Sequence, residues 1–144
     1  MKRNLITILS LVVMSLMGNA TSAFAQAYAK ADVPFAFNVG GAQLPAGTYE
    51  IKVLSQSPYE IMIDNSETRA AAVSIARREG PRNRESKLVF HHVDNRYFLS
   101  EVWKDSAAGG MIVPTSKQEE ELKKELSLAK SPSNGHDKVI IALK

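Results

Sequence analysis

The chain reads as an all-β domain: an antiparallel meander forming a β-sandwich or a small barrel, with one amphipathic helix near the C-terminus. Three observations predict this. Short apolar runs of period two recur along the chain, turn residues separate them about every 8 to 12 positions, and only the segment at about 117–130 carries a helical pattern. Seven or eight strands joined by short connections are expected to pair in sequence order. An apolar fraction of 44% and a charged fraction of 23% over 144 residues exclude disorder, collagen and coiled coil, and suit a single domain.

The first 25 residues stand apart from that fold. Lys2 and Arg3 precede a 13-residue apolar stretch, Leu5 to Met17, which is shorter than the about 20 residues that span a bilayer. Gly18 and Asn19 break it, and Ala23-Phe24-Ala25 has the small-x-small form of a signal-peptidase site. The expectation is a Sec-type signal peptide over residues 1–25, cleaved after Ala25, and a secreted or periplasmic product. Residues 26–144 then form one β-rich domain with its core at about 33–143. The product is expected to be soluble, with no stable membrane anchor.

Val33, Phe35, Phe37 and Val39 alternate with Pro34, Ala36 and Asn38, which predicts one strand. Pro34 has no N–H and should start that strand or lie on an edge. Gly40-Gly41 is punctuation, and Leu44-Pro45-Ala46-Gly47 has type I turn chemistry. Tyr49, Ile51 and Val53 face inward from a second strand, and Tyr59, Ile61 and Ile63 belong to a third. Asp64 to Glu67 turns the chain. Ala71, Val73 and Ile75 then alternate with Ala72, Ser74 and Ala76, although an alanine-rich run also suits a helix.

Residues 77–87 (RREGPRNRESK) read as a polar loop. Beyond it, Lys87 to Val93 and Arg96 to Trp103 flank Asp94-Asn95, a pair that tolerates positive φ and closes a two-residue hairpin. The simplest register pairs His92 with Tyr97, Phe90 with Leu99 and Leu88 with Glu101. Leu88, Phe90, His92, Tyr97, Leu99, Glu101 and Trp103 then share the face assigned to the core. A one-residue slip would change that assignment. Ala107 to Gly110 is a turn and Met111 to Val113 a short strand. Ser116 with Glu119 forms a capping box for a helix with Glu119–Lys123 and Glu120–Lys124 pairs and a thin Leu122, Leu126 stripe. Val139, Ile141 and Leu143 give the last strand one apolar face.

Charge and motif content narrow the function classes. The chain holds 18 basic and 15 acidic residues, and removal of Lys2 and Arg3 leaves 16 against 15. Such a near-neutral domain does not call for nucleic acid as a partner. The sequence has no cysteine, which excludes disulfides, thiolate metal sites, a thiol nucleophile and cysteine-linked lipid. Neither a G-x-S-x-G elbow nor a Gly-rich phosphate loop is present. No cofactor is expected. His91 and His92 point to opposite faces of a strand and cannot easily chelate one ion, and His136 lies in a distant loop. A zinc site from His92, Glu101 and a third residue matches no ligand spacing, so no metal is expected.

Two surfaces remain as candidates. His92, Tyr97, Glu101 and Trp103 would form a ligand-binding mouth; a buried Glu101 costs several kcal/mol unless paired, so it is either functional or satisfied by a cation or water. Arg77, Arg78, Arg82, Arg84 and Lys87 would contact an anionic surface, with a solvated loop as the plainer reading. The leading expectation is a non-catalytic binding or envelope-associated module of unassigned partner, the two candidates being an anionic envelope component and a small apolar ligand. The first alternative is a barrel that carries a small apolar ligand in a cavity lined by Phe35, Phe37, Tyr49 and Trp103. The second is a small hydrolase using Glu101 and His92.

The segments Val33-Pro34-Phe35-x-Phe37, Leu44-Pro45-Ala46-Gly47-x-Tyr49, and Ser86-Lys87-Leu88-Val89-Phe90-His91 followed by Tyr97 to Trp103 occur in order. Together they resemble a group of small exported bacterial β-proteins of unassigned function, over about Val33 to Glu125. The resemblance implies export and a β fold and brings no activity with it.

Overall fold

A computed structural model describes residues 27–80, 85–104, 109–129 and 137–144. The segment read as a signal peptide, Arg82 and Arg84, residues 107 and 108 of the 107–110 turn, Lys130 and His136 lie outside these residues. The described elements are β1 (Ala27–Val33), β2 (Phe37–Val39), β3 (Ala42–Leu44), β4 (Gly47–Gln56), β5 (Tyr59–Asp64), β6 (Ala71–Glu79), β7 (Lys87–Val93), β8 (Arg96–Trp103), β9 (Gly110–Ile112), α1 (Lys117–Leu128) and β10 (Asp137–Ala142).

The protein is all-β with one helix. The strands form one large mixed sheet in the order β1-β4-β5-β6-β9-β8-β2-β3, with β7 on β8 and β10 on β7. It is not closed into a barrel. One backbone hydrogen bond, from Lys144 N–H to the Lys30 carbonyl (2.8 Å), ties β1 to the chain just beyond β10. The path departs from a simple meander. β4–β5–β6 and β7–β8–β9 follow sequence order, but β1 skips to β4 and β6 skips to β9. β2 joins β8 through a parallel bridge, Asn38 to Phe98.

The expected Val33–Val39 strand is two strands. Pro34 cannot donate to a ladder, and the chain leaves β1 at Val33 and re-enters the sheet at Phe37. All three residues of β2 are buried, so its alternation is lost. Gly40 (φ 56°) and Gly41 (φ 98°) supply the positive φ that a tight β2–β3 turn needs.

The Leu44-Pro45-Ala46-Gly47 stretch is a corner between β3 and β4 rather than a regular turn. Tyr49 Oη donates to the Pro45 carbonyl (2.7 Å), and the ring is fully buried. Burial raises the phenol above its ordinary pKa, against the opposing hydrogen bond with Asn65, so the hydroxyl stays a donor. Gly47 is required here because a Cβ would lie 2.5 Å from Asn65 Nδ2. Asn65, 2% exposed, in turn accepts from the N–H groups of Glu67 and Thr68 and so shapes the β5–β6 turn.

The core is one cluster that includes Phe37, Tyr49, Ile51, Ile61, Ile63, Leu88, Phe90, Leu99 and Val102. Phe37 meets Tyr49 edge-on at 5.0 Å and Phe90 at 5.3 Å. Such aromatic pairs add about 0.5–1.5 kcal/mol beyond area burial. Val139, Ile141 and Leu143 pack on the same cluster, as their spacing predicts.

The β7–β8 hairpin has the predicted ends, and Asp94 takes positive φ (55°) at its turn. Its register holds from the turn to Phe90–Leu99, then slips by one residue. Ser100 is the extra residue, and its hydroxyl donates to the Val89 carbonyl (3.0 Å). Leu88 therefore faces Val102, and Glu101 faces Val89. A bulge of this kind reverses the facing of every residue beyond it. Glu101 and Trp103 leave the core face, and Val102 takes their place in the core cluster.

β6 is a strand, and it buries the smaller of its two alternating sets. Ala72 and Ala76 are its buried residues, whereas Val73 and Ile75 are 55% and 58% exposed. The small residues sit inward because the β2–β3 hairpin packs against this strand. β6 also runs on to Glu79, so residues 77–79 of the expected loop are strand and pair with β9.

Helix α1 follows its capping signal. Ser116 Oγ accepts from Glu119 N–H (3.2 Å), and Ala129 closes the C-terminus one residue before the expected end. The Glu119 side chain does not need the cap. It is 2% exposed, and one oxygen contacts both His91 Nδ1 (2.8 Å) and Lys123 Nζ (2.6 Å). These contacts pin the helix to the outer face of β7 and satisfy a carboxylate that would be costly to bury alone.

Candidate ligand-binding cleft

The predicted mouth is divided between two faces. Tyr97 stacks on Phe35 at 3.9 Å and on His92 at 4.5 Å, forming a ring column on the core side of the hairpin. Glu101 and Trp103 lie on the other face. There Trp103 Nε1 donates to Glu101 Oε2 (2.6 Å), and Lys138 Nζ donates to Glu101 Oε1 (3.1 Å). Burial pushes the Glu101 carboxyl up, but the Trp103 and Lys138 hydrogen bonds outweigh it and hold the group below its ordinary range. A carboxylate kept ionised with both oxygens engaged suits an ion pair better than proton donation. The bulge at Ser100 thus separates the Glu101 and His92 proposed as a hydrolytic pair.

The carrier lining is not assembled either. Phe37 and Tyr49 touch within the core, Phe35 belongs to the ring column, and Trp103 covers Gly110 on the opposite face. A Cβ on Gly110 would lie 2.4 Å from Trp103 Cε3, which is why glycine stands there.

The described cations of the 77–87 segment each have a partner. Arg77 pairs with Glu79 (3.5 Å), Arg78 donates to Tyr59 Oη (3.0 Å), and Lys87 pairs with Glu85 (3.4 Å). Arg77 and Arg78 are held on a strand, so the five basic residues do not form one flexible loop.

A cleft of about 540 Å³ opens at a different place. Three segments distant in sequence build it: the Gly40-Gly41 turn, Val73–Ile75 of β6, and Pro114–Gln118 between β9 and α1. It exists because β6 and β9 part. Their pairing is confined to Arg77–Glu79 with Gly110–Ile112. Val113 N–H still bonds the Ser100 carbonyl (2.8 Å), but Pro114 has no N–H with which to continue the ladder. Ser116 then caps α1 and draws the chain away. On the other side the Gly40 turn comes so close that a Cβ would lie 3.2 Å from the Val73 carbonyl oxygen.

The lining chemistry is simple. Val73 and Ile75 present half-exposed apolar side chains, and Lys117 is the one charged residue of the lining. Ser74 Oγ donates to the Ile75 carbonyl (3.1 Å), and among the described residues no histidine or carboxylate lines the cleft. The described lining offers apolar contacts and one positive charge to a ligand. Among the described residues no group of three or more metal-ligating side chains occurs, and no helix is long and apolar enough to cross a membrane.

Sequence reasoning did not find this cleft. A signal was present in Ala72 and Ala76, whose small size marks the face of β6 that another element approaches. No family model, no curated protein and no solved structure matches this chain.

Proposed function

We propose that the chain is an exported, non-catalytic binding module of the cell envelope, and that the cleft between β6 and the β9–α1 connection is its ligand-contacting surface. One observation carries this: Val73 and Ile75 stand more than half exposed on the wall of a formed cleft. Fully burying such a side chain is worth about 1.5–3 kcal/mol. A ligand that covers both therefore gains affinity without a change in the fold. Export is read from the order of charge, apolar stretch and cleavage site in residues 1–25. Contact with an anionic polymer through residues 77–87 is a weaker reading, because Arg77, Arg78 and Lys87 are already paired.

Titration of the ¹⁵N-labelled protein with a library of small aromatic and aliphatic compounds tests the site. Amide shifts should cluster at Val73–Ile75 and Thr115–Gln118. Shifts confined to Glu101, Trp103 and Lys138, or no binding by any compound, would remove the cleft from consideration. For export, N-terminal sequencing of the protein from periplasm or medium should begin at Gln26. A product found only in the cytosol with Met1 retained would overturn it.

A further inference from the structure

Building on the binding-module reading, we infer that the cleft seats an extended peptide of a partner protein as an added strand on β6, with apolar residues of the peptide on Val73 and Ile75 and an acidic residue on Lys117.

The lane for that strand is already laid out. β5 pairs with β6 along Ala71–Ala76, whereas β9 pairs with Arg77–Glu79 alone. In an antiparallel ladder alternate residues aim their N–H and C=O groups at each neighbour in turn. Within Val73–Ala76 such groups therefore point away from β5, into the position β9 vacates. The Gly40 turn meets the strand at the Val73 carbonyl and sets one end of the lane, and the β9 ladder sets the other. Four residues span about 13 Å at ~3.3 Å each, enough for a short strand. Pro114 keeps the chain itself from filling the lane.

Shape and charge together favour a peptide. Main-chain hydrogen bonds give added strands their affinity, and pockets for alternate side chains give them specificity. Val73 and Ile75, two residues apart on one face, provide two neighbouring apolar contacts. Lys117 gives the described lining one positive charge and no negative one, which complements an acidic residue. An acyl chain would cover Val73 and Ile75 equally well but offers no N–H or C=O with which to extend a ladder on β6.

A random octapeptide library displayed on phage, selected against the purified exported chain, tests this. Enriched sequences should alternate apolar residues and carry an acidic one. A synthetic consensus octapeptide should shift the amides of Val73–Ala76 and Thr115–Lys117. Lys117→Glu should weaken that peptide about fivefold, the scale of one exposed ion pair, whereas Lys124→Glu on the same helix should not. Ile75→Glu should abolish binding while the thermal midpoint and circular dichroism stay those of the folded protein. If small compounds bind the cleft but no peptide is enriched, the occupant is not a peptide and the binding reading stands. If neither binds, both fall. Enriched peptides that map elsewhere, or displacement of the consensus peptide by decanoate at equal concentration, would also overturn the peptide assignment.

Discussion

β6 and β7 lie in one sheet, and each carries two large apolar residues spaced two apart, yet they present these in opposite directions. On β7, Leu88 and Phe90 point into the core and are 2% and 0% exposed. On β6, Val73 and Ile75 point outward, and alanines face inward. What differs is the neighbour. On the β7 face, Phe90 meets the rings of Phe35 and Phe37 and lies opposite Leu99 of β8. The inner face of β6, with Ala72, Ser74 and Ala76, meets the β2–β3 hairpin. A period-two pattern thus defines two faces but does not say which one is buried.

The largest test of this contrast is Phe90→Ala. It removes a ring that touches two others and should cost about 3–5 kcal/mol in urea unfolding. Ala72→Leu is next. If the hairpin leaves no space over β6, overpacking should destabilise by about 1–3 kcal/mol; a change near zero would mean that β6 has room and that its facing has another cause.

A smaller effect separates the outer face of β8 from both strands. The folded protein holds the Glu101 carboxyl below its ordinary range, after burial has pushed it the other way. Its contribution is therefore present above the unfolded carboxylate range and is lost as pH falls through the folded value. Wild type should lose stability more steeply than Glu101→Gln below about pH 4.5. Parallel curves would show that the Trp103 and Lys138 hydrogen bonds do not stabilise the fold.

The smallest expected stability effect belongs to Val73→Thr with Ile75→Thr. Exposed substitutions of this kind should stay within about 0.5 kcal/mol of wild type each. The double variant should nonetheless lose cleft binding in the same compound titration. A large loss of stability would show that the two side chains are structural.

The hairpin around Asp94-Asn95 was legible to the residue, because turn chemistry and alternation are local and Asp94 adopts the positive φ it tolerates. Ser116 as helix cap was legible for the same reason. The bulge at Ser100 was not. It depends on a hydroxyl reaching the Val89 carbonyl across the ladder, and alternation along one strand carries no sign of it. That one contact moved Glu101 and Trp103 off the core face and dissolved the mouth expected from them. The cleft was still further from view, since positions 40, 74 and 116 meet only after the sheet is built.

By itself, the chain's sequence determined the element types, most turns, the helix cap and the residues able to form a core. All of these rest on backbone preferences and side-chain spacing within a few residues. Tertiary structure alone decided which face of β6 is buried, where the β8 register slips, which cation Glu101 meets, and that β6 and β9 part at Pro114. Each of these depends on competition among distant segments for the same space and the same hydrogen-bonding groups, and spacing along one strand does not record it.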